Sequence, residues 1–527
     1  MSNTVHEDGP FLLSLSDFEV SIPSEIRKYL EAQYLPKYNG DPNKASKHVG
    51  RILERMKIPP ATTTCRLNHN NANKSELIEK INQVLKLQTY TVKDEVKQIF
   101  RVVPNDSFDD VVDVVANDEI KSTETLYKSS MPPASNGEKS TRKKWPNQKV
   151  IICDTFCGEA VLRGADVFVK GVLCADKGIH KGDIVAVYAN IISNNNLKQN
   201  SSSGGSKSIP RGMDAENYTG TCVFLGMGEM MCSRSEIFGQ ESGLAIEMMN
   251  GLISNHGEIT TAKACIPLPP LNSQILSGKM VMQNLPSILV GAALDANPNQ
   301  VIADLCSAPG GKTSHVASII RNQGIIVAFD KSRKKVVTMK SFFQEQGATC
   351  VTPIALDSTK CLLSSDGNYE RKGVEEILRD ATVSEEDGLK NIEGFFSESF
   401  DRIILDPPCS ALGLRPKLSI NFRKLKELSR HANYATRFVP NAVELLKSGG
   451  VLTYSTCTIN SDENEKMVKF ILDNYPCMKL VPISYDIGQC GLQGVGLTDE
   501  QRGMVRRFDS THELDTMGFF VAKFIKQ

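Results

Sequence analysis

The sequence predicts an α/β protein: a doubly wound parallel sheet, preceded by a small β-barrel and a mixed N-terminal unit. Three observations carry this. Apolar strand-like runs alternate with helical patterns from Val301 to Tyr454. The first of those runs breaks into a small-residue turn, VIADLCSAPGGKT, spanning Val301 to Thr313. Ahead of both stands a series of short, Gly-punctuated strands.

At 527 residues the chain exceeds one ordinary core, and roughly two to four domains are expected. Basic and acidic residues balance at 61 each, so a nucleic-acid surface must come from local patches rather than bulk charge. The 14 cysteines are scattered without paired C-x-x-C sets, which argues against a structural zinc and for a reduced, cytoplasmic compartment. No metal is expected. The first residues carry acids and no basic region before a very short apolar run, so no signal peptide is expected, and no stretch approaches a membrane span.

In chain order, Pro23-SEIRKYLEAQYL has apolar residues at helical spacing, with Ser24 as its expected cap. Ala45 to Met56 is predicted helical, Pro59-PATTTCRLN strand-like, and Ser75-ELIEKINQVLKLQ helical again. Residues 128–148, rich in Ser, Pro, Gly and basic side chains, read as a linker. Arg142, Lys143, Lys144 and Trp145 there suit nucleic acid and equally suit a solvated basic linker.

From Val150 to about Val187 the texture is that of short strands, and Gly220-TCVFLGMGEM reads as the last strand of a compact barrel ending near Arg234. The runs Gly164-ADVFVKGVL and Lys181-GDIVAVY resemble successive strands of the PUA domain, a small RNA-binding barrel. Arg163, Lys170, Lys177 and Lys181 are its candidate phosphate contacts, of the kind that position an RNA without reading its sequence. The polar run Ser193 to Ser208 reads as a disordered loop.

The main sheet takes strands near residues 301–305, 325–330, 351–356, 402–406 and 451–454, and Gly518-FFVAKFI reads as an added antiparallel strand. In such sheets a ligand sits outside the carboxyl ends of the strands, where glycine lets the backbone approach and a helix N-terminus faces the ligand. Asp330, ending the second strand, is placed for ribose hydroxyls. Lys312 raises the alternative of a phosphate-binding P-loop, but that motif needs glycine where this chain has Cys306, and Pro309 lies inside the turn. A nucleoside with little phosphate, such as S-adenosylmethionine, fits better. The acidic, Gly-broken piece from Cys361 to Glu398 reads as a partly disordered insertion.

Two cysteines follow strands at the same edge: Cys409 in Asp401-RIILDPPCSALG and Cys457 in Val451-LTYSTCTI. Adjacent strands bring them together over the ligand. The chemistry that needs both a methyl donor and a thiolate is methylation of a pyrimidine at carbon 5. Thiolate addition to carbon 6 moves electron density onto carbon 5, one hard step split into easier ones. Asp406 stands where an acidic group beside N3 and the exocyclic amine is required.

DLCSAPGGKT, AFDKS, ALDSTK, LDPPCSALG, YSTCTINSDENE and GFFVAKF together resemble the Sun family of RNA cytosine-5 methyltransferases, and the inserted PUA domain resembles its transfer-RNA branch. The resemblance covers about Pro59 to Phe524. It implies a Rossmann-like class I S-adenosylmethionine-dependent core over residues 236–527, a PUA domain over 148–235 and an N-terminal RNA-binding α/β region with linker over 1–147. It further implies Cys457 as nucleophile, Cys409 as the group assisting product release, Asp406 at the cytosine and Lys312 near donor and target. Cys306, Ser307, Ala308, Pro309, Gly310, Gly311 and Lys312, with Asp330 and Arg333 on the ribose side, Asp357 near the adenine and Asp406, form the implied cofactor set. The implied substrate is a transfer-RNA acceptor stem with its CCA end on the barrel, and the implied protein a monomer. Messenger or ribosomal RNA, and a binding protein without catalysis, are the alternatives. The family's usual Asp-Ala-Pro-Cys-Ser-Gly departs here to Asp406-Pro-Pro-Cys-Ser-Ala; Ala411 in place of Gly matters only if that position needs positive φ or close backbone approach.

Overall fold

The structure, a computed structural model, describes residues 11–13, 18–60, 62–68, 74–86, 89–92, 95–98, 100–104, 108, 111–116, 149–191, 210–249, 277–363, 371–420 and 422–527. The linker 128–148 and the polar run 193–208 lie outside the described residues.

Seven strands form the main path of the largest sheet, in the spatial order Val351–Ala355, Gly324–Asp330, Gln300–Asp304, Phe400–Leu405, Leu446–Thr456, Phe519–Lys526 and Met478–Val481. The first five run parallel, and Phe519–Lys526 is antiparallel to both of its neighbours on that path. Strand order reverses between Gln300–Asp304 and Phe400–Leu405, which makes the carboxyl ends of these two the natural ligand crevice. Helices Gly311–Ile319, Arg333–Glu345 and Val439–Leu445 follow individual strands, and the sheet carries separate apolar clusters on its two faces. The acidic piece read as an insertion is part of one cluster. Phe395 is buried edge-on against Phe329 and Phe400, and Val374 and Leu378 of the helix Val374–Asp380 join it.

The barrel sheet runs Val167–Phe168, Leu244–Met248, Thr221–Met230, Ile184–Ile191, Lys149–Cys153 and Val172–Ala175. It therefore continues past residue 235: Leu244–Met248 pairs with Thr221–Met230 on one side and Val167–Phe168 on the other. Thr155–Leu162, inside the stretch read as strands, is a helix. Its β-prone Thr, Phe and Cys are overridden by Asp154, whose side chain accepts from Cys157 N at 2.7 Å as an N-cap.

The N-terminal region divides between the two larger units. Helices Ser24–Tyr34 and Pro42–Met56 share one apolar cluster with barrel residues such as Val161 and Ile246. Ser24 begins its helix rather than capping it, since Pro23 occupies the N-cap and no side-chain cap bond forms. Strands Thr62–Leu67, Val111–Ala116 and Phe100–Pro104 instead make a sheet with Met280–Met282, and Phe108 and Val111 pack in the cluster of Leu285 and Ile288. Arg66, 1% exposed, donates to Gln283 Oε1 at 2.9 Å and to Ser314 Oγ at 3.1 Å, bracing the helix that follows the ligand turn. No helix among the described residues is long and apolar enough to cross a membrane.

Candidate active site

Strand Gln300–Asp304 delivers its last side chain into the interior, and the turn wraps around it. Asp304, 1% exposed, accepts Thr313 Oγ1 at 2.7 Å, and Thr313 in turn meets Ser307 Oγ at 2.5 Å. Burial pushes Asp304 up to about 6 despite that hydrogen bond, so it closes the loop rather than contacting a ligand. Gly310 takes φ +107°, and a Cβ there would meet the Phe343 ring at 2.8 Å. Glycine is thus required twice over, by conformation and by the helix Arg333–Glu345 packed behind the turn.

Asp330 ends the next strand, its Oδ1 accepting Ser332 N at 2.8 Å. Asp357 accepts Thr359 N and Oγ1 through Oδ1 at 3.0 and 2.7 Å; burial works against its charge, but these bonds hold it below the usual carboxylate value. Cys306 is half-buried near Asp304, Asp406, Asp330 and Asp357, and desolvation first, then these four carboxyls, push its thiol well up. A crevice lined by so many carboxyls favours a cationic nucleoside, a sulfonium with an ammonium group, over a polyphosphate. The residues present fit S-adenosylmethionine: Asp330 and Asp357 would hold its ribose and adenine, and the glycine turn its closest approach. Arg333 turns its Nε and Nη2 to Asp387, with two hydrogen bonds of 2.9 Å.

On the far side of the switch point, Asp406 follows strand Phe400–Leu405. Lys312 Nζ donates to its Oδ2 at 2.6 Å and Ser455 Oγ to its Oδ1 at 3.0 Å. Burial opposes the Lys312 charge, yet Asp406 beside it holds the ammonium above the usual lysine value. Cys409 Sγ and Cys457 Sγ are 3.3 Å apart. The hydrogen bond to Cys457, reinforced by burial, pushes the Cys409 thiol well up.

The cysteine loops are cross-braced. Gly413 N donates to Cys457 O at 3.0 Å, Ser410 Oγ meets Thr458 Oγ1 at 2.7 Å, and Ser410 N donates to Glu463 Oε2 at 2.7 Å. Sequence reasoning missed Ser455, Thr458, Asn460 and Glu463 as site residues. Ser455 was within reach, since it lies two residues before Cys457 and alternate positions on an extended chain share a face.

The four candidate RNA contacts divide between the ends of the barrel. Lys170 precedes Gly171, whose carbonyl accepts Asp154 N at 2.8 Å, at the end where the capped helix meets the catalytic loops through Leu418 N and Glu159 Oε1 at 2.9 Å. Arg163 is the C-cap of that helix. Lys177 and Lys181 sit on the turn at the opposite end, where Lys149 pairs with Asp183, and Lys177 lies 3.4 Å from Asp214. Phe156 and Phe168, 70% and 56% exposed, offer ring faces on the same barrel.

The chain matches the family described as 16S rRNA methyltransferase RsmB/F over residues 291–381 and 354–525, and the PUA domain over residues 149–252. It is 30% identical to the mouse tRNA (cytosine(72)-C(5))-methyltransferase NSUN6, across 96% of this chain and 97% of that relative. It is likewise 30% identical to the rRNA (cytosine-C(5))-methyltransferase NOP2C of Arabidopsis thaliana, across 90% and 87%. Among solved structures, NSun6 from Pyrococcus horikoshii with SFG, an S-adenosylmethionine analogue, aligns at TM-score 0.63 and 25% identity over 96% of this chain and 98% of its own. Because the likeness runs through barrel and catalytic sheet alike, the chain belongs to the PUA-containing Sun-family RNA cytosine-5 methyltransferases, enzymes dependent on S-adenosylmethionine.

Proposed function

We propose that this enzyme methylates carbon 5 of a cytosine near the 3′ end of a transfer-RNA acceptor stem, with the terminal CCA on the PUA barrel, acting as a cytoplasmic monomer. The observation that carries the substrate assignment is the match, over 96% of this chain and barrel included, to two relatives named for cytosine 72 of transfer RNA. A barrel whose capped helix abuts the catalytic loops supports it, because a strand held there continues toward the thiols.

When bound, S-adenosylmethionine supplies an electrophilic methyl group. The rest of the chemistry falls to this chain. Cys457 ionises and its sulfur bonds to carbon 6 of the cytosine, and the ring's electron pair shifts to carbon 5. Asp406, fixed through both oxygens by Lys312 and Ser455, accepts a hydrogen bond from the exocyclic amine, and the Lys312 ammonium beside it offsets the negative charge that thiolate addition puts on the ring. Once carbon 5 carries the new methyl group, its proton passes to solvent water as the base; the C–H pair becomes the ring double bond and the sulfur–carbon bond breaks, its electrons leaving on Cys457 as thiolate. Cys409, a protonated thiol 3.3 Å from that sulfur, stabilises the departing thiolate through the S–H···S contact. The base must first leave its stack, which costs a few kcal/mol and least at a frayed acceptor end.

Ribosomal RNA is the second reading, favoured by the 30% identity to NOP2C. Bisulfite sequencing of total RNA after incubation with the wild type or Cys457→Ala decides between them. New methylcytosine in acceptor stems, absent with the variant, is the expected result. Signal confined to ribosomal RNA overturns the transfer-RNA assignment.

A further inference from the structure

The loop that carries Cys457 into the helix Glu465–Asn474 is mostly polar and mostly buried. Thr458, Asn460, Ser461, Glu463 and Asn464 are each at most 1% exposed. Such a loop holds one conformation only if its hydrogen-bonding groups are matched. Its own atoms match part of them: Asn460 Nδ2 donates to Glu463 Oε1 at 2.9 Å, and Asn464 Nδ2 donates to Thr458 O at 3.0 Å. Two further groups are met from 427 and 428 residues away. Gln33, on helix Ser24–Tyr34, donates its Nε2 to Asn460 Oδ1 at 2.9 Å and accepts Ser461 N through Oε1 at 2.9 Å. Gln33 is itself only 7% exposed.

Those two bonds join a continuous path. Gln33 fixes both the rotation of the Asn460 amide and the backbone at Ser461. Asn460 then fixes one oxygen of Glu463, and the other oxygen takes Ser410 N at 2.7 Å, the residue after Cys409. Burial raises the Glu463 carboxyl, and the Ser410 and Asn460 bonds oppose that rise. Ser410 Oγ and Thr458 Oγ1 close the ring back to the Cys457 loop.

We infer that Gln33 is a positioning residue for methyl transfer: from outside the catalytic sheet it sets the separation of Cys409 and Cys457 through Asn460 and Glu463. The N-terminal helix is thus part of the apparatus that aligns the thiols, in addition to its packing against the barrel. The inference rests on the reading of these cysteines as the reacting thiols. It acts on geometry at the thiols and leaves the donor crevice, built on Asp330, Asp357 and the glycine turn, untouched.

The test compares full-length wild type, Gln33→Met and Gln33→Glu. Methionine keeps the volume and removes both bonds; glutamate keeps the acceptor for Ser461 N and loses the donor to Asn460. Steady-state methylation of an RNA substrate, donor affinity by calorimetry and thermal melting are measured for each. A misplacement on the scale of 1 Å at the reacting atoms costs about 100-fold in rate. The expected result is a fall in kcat of tenfold or more for Gln33→Met, a smaller fall for Gln33→Glu, and KM for RNA and donor affinity within about twofold of wild type. Wild-type kcat in Gln33→Met overturns the inference, as does a loss of kcat that comes with equal loss of donor affinity, the mark of a structural role alone. A wild type that methylates no RNA and forms no RNA adduct overturns the enzymatic reading beneath it instead.

Discussion

Gly413→Ala is the sharpest perturbation of the thiol geometry that leaves every polar side chain in place. A Cβ at Gly413 would stand 1.9 Å from Gly518 O and 2.5 Å from Gly518 C, both backbone atoms, so no side-chain rotation relieves the contact. The same two glycines are joined by Gly518 N donating to Gly413 O at 2.8 Å, and Gly413 N donates to Cys457 O at 3.0 Å. Separating the chains by the ångström or more that a methyl demands costs about 1–3 kcal/mol in overpacking. Each hydrogen bond lost between buried groups adds about 1–3 kcal/mol. The variant is therefore expected to lose roughly 3–9 kcal/mol of local stability if both bonds break and, because Cys457 is carried on the displaced carbonyl, about 100-fold in methylation rate. Melting and single-turnover methylation of an RNA substrate check both figures. A variant that melts with the wild type and turns over at its rate would show that the Gly413–Gly518 contact does not hold the cysteine loops, and the account of the site given above would be wrong.

Three further outcomes are expected. On the proposed mechanism, in which Cys409 assists release of Cys457, Cys409→Ala is expected to accumulate an RNA–protein adduct stable to denaturing electrophoresis, while Cys457→Ala gives neither adduct nor product. Ala411 adopts φ 54°, the left-handed region that costs a non-glycine residue about 1–2 kcal/mol. Against glycine's greater unfolded-state entropy of about 0.5–1 kcal/mol, Ala411→Gly is expected to stabilise by up to about 1 kcal/mol in chemical denaturation, with donor affinity unchanged. Asp304, raised from 3.8 to about 6, binds a proton in the folded state that the unfolded chain has released, so stability falls as pH rises from about 4 to about 6. Asp304→Asn removes that dependence, and the stability difference should shift in the variant's favour by about 2 kcal/mol between pH 4 and pH 7 in denaturant titrations.

Readable in the sequence were the features whose chemistry is local. The glycine turn after Val301 is required by one residue's φ and by Phe343 at its back, and the Pro-Cys and Thr-Cys runs end strands whose apolar residues announce themselves. Parallel order followed from strand–helix alternation, so the juxtaposition of Cys409 and Cys457 followed as well. Even Ala411 raised the right question, and the positive φ answers it: the position does favour glycine, and the chain carries alanine under strain. Out of reach were the features made by partners distant in sequence. Nothing near Gln33 distinguishes it from a surface glutamine on an amphipathic helix, because its significance lies in Asn460 and Ser461. The N-terminal region read as one unit for the same reason. Its helices and its strands each have sensible local patterns, and only tertiary packing sends the helices to the barrel and the strands to Met280–Met282. The same separation holds energetically. Backbone chemistry decides where a thiol can sit, but an ångström of placement is decided by buried hydrogen bonds whose two ends share no stretch of sequence. That is why the second set, Gln33, Glu463 and the Gly413–Gly518 contact, is where substitution should change rate while leaving both thiols and the donor crevice in place.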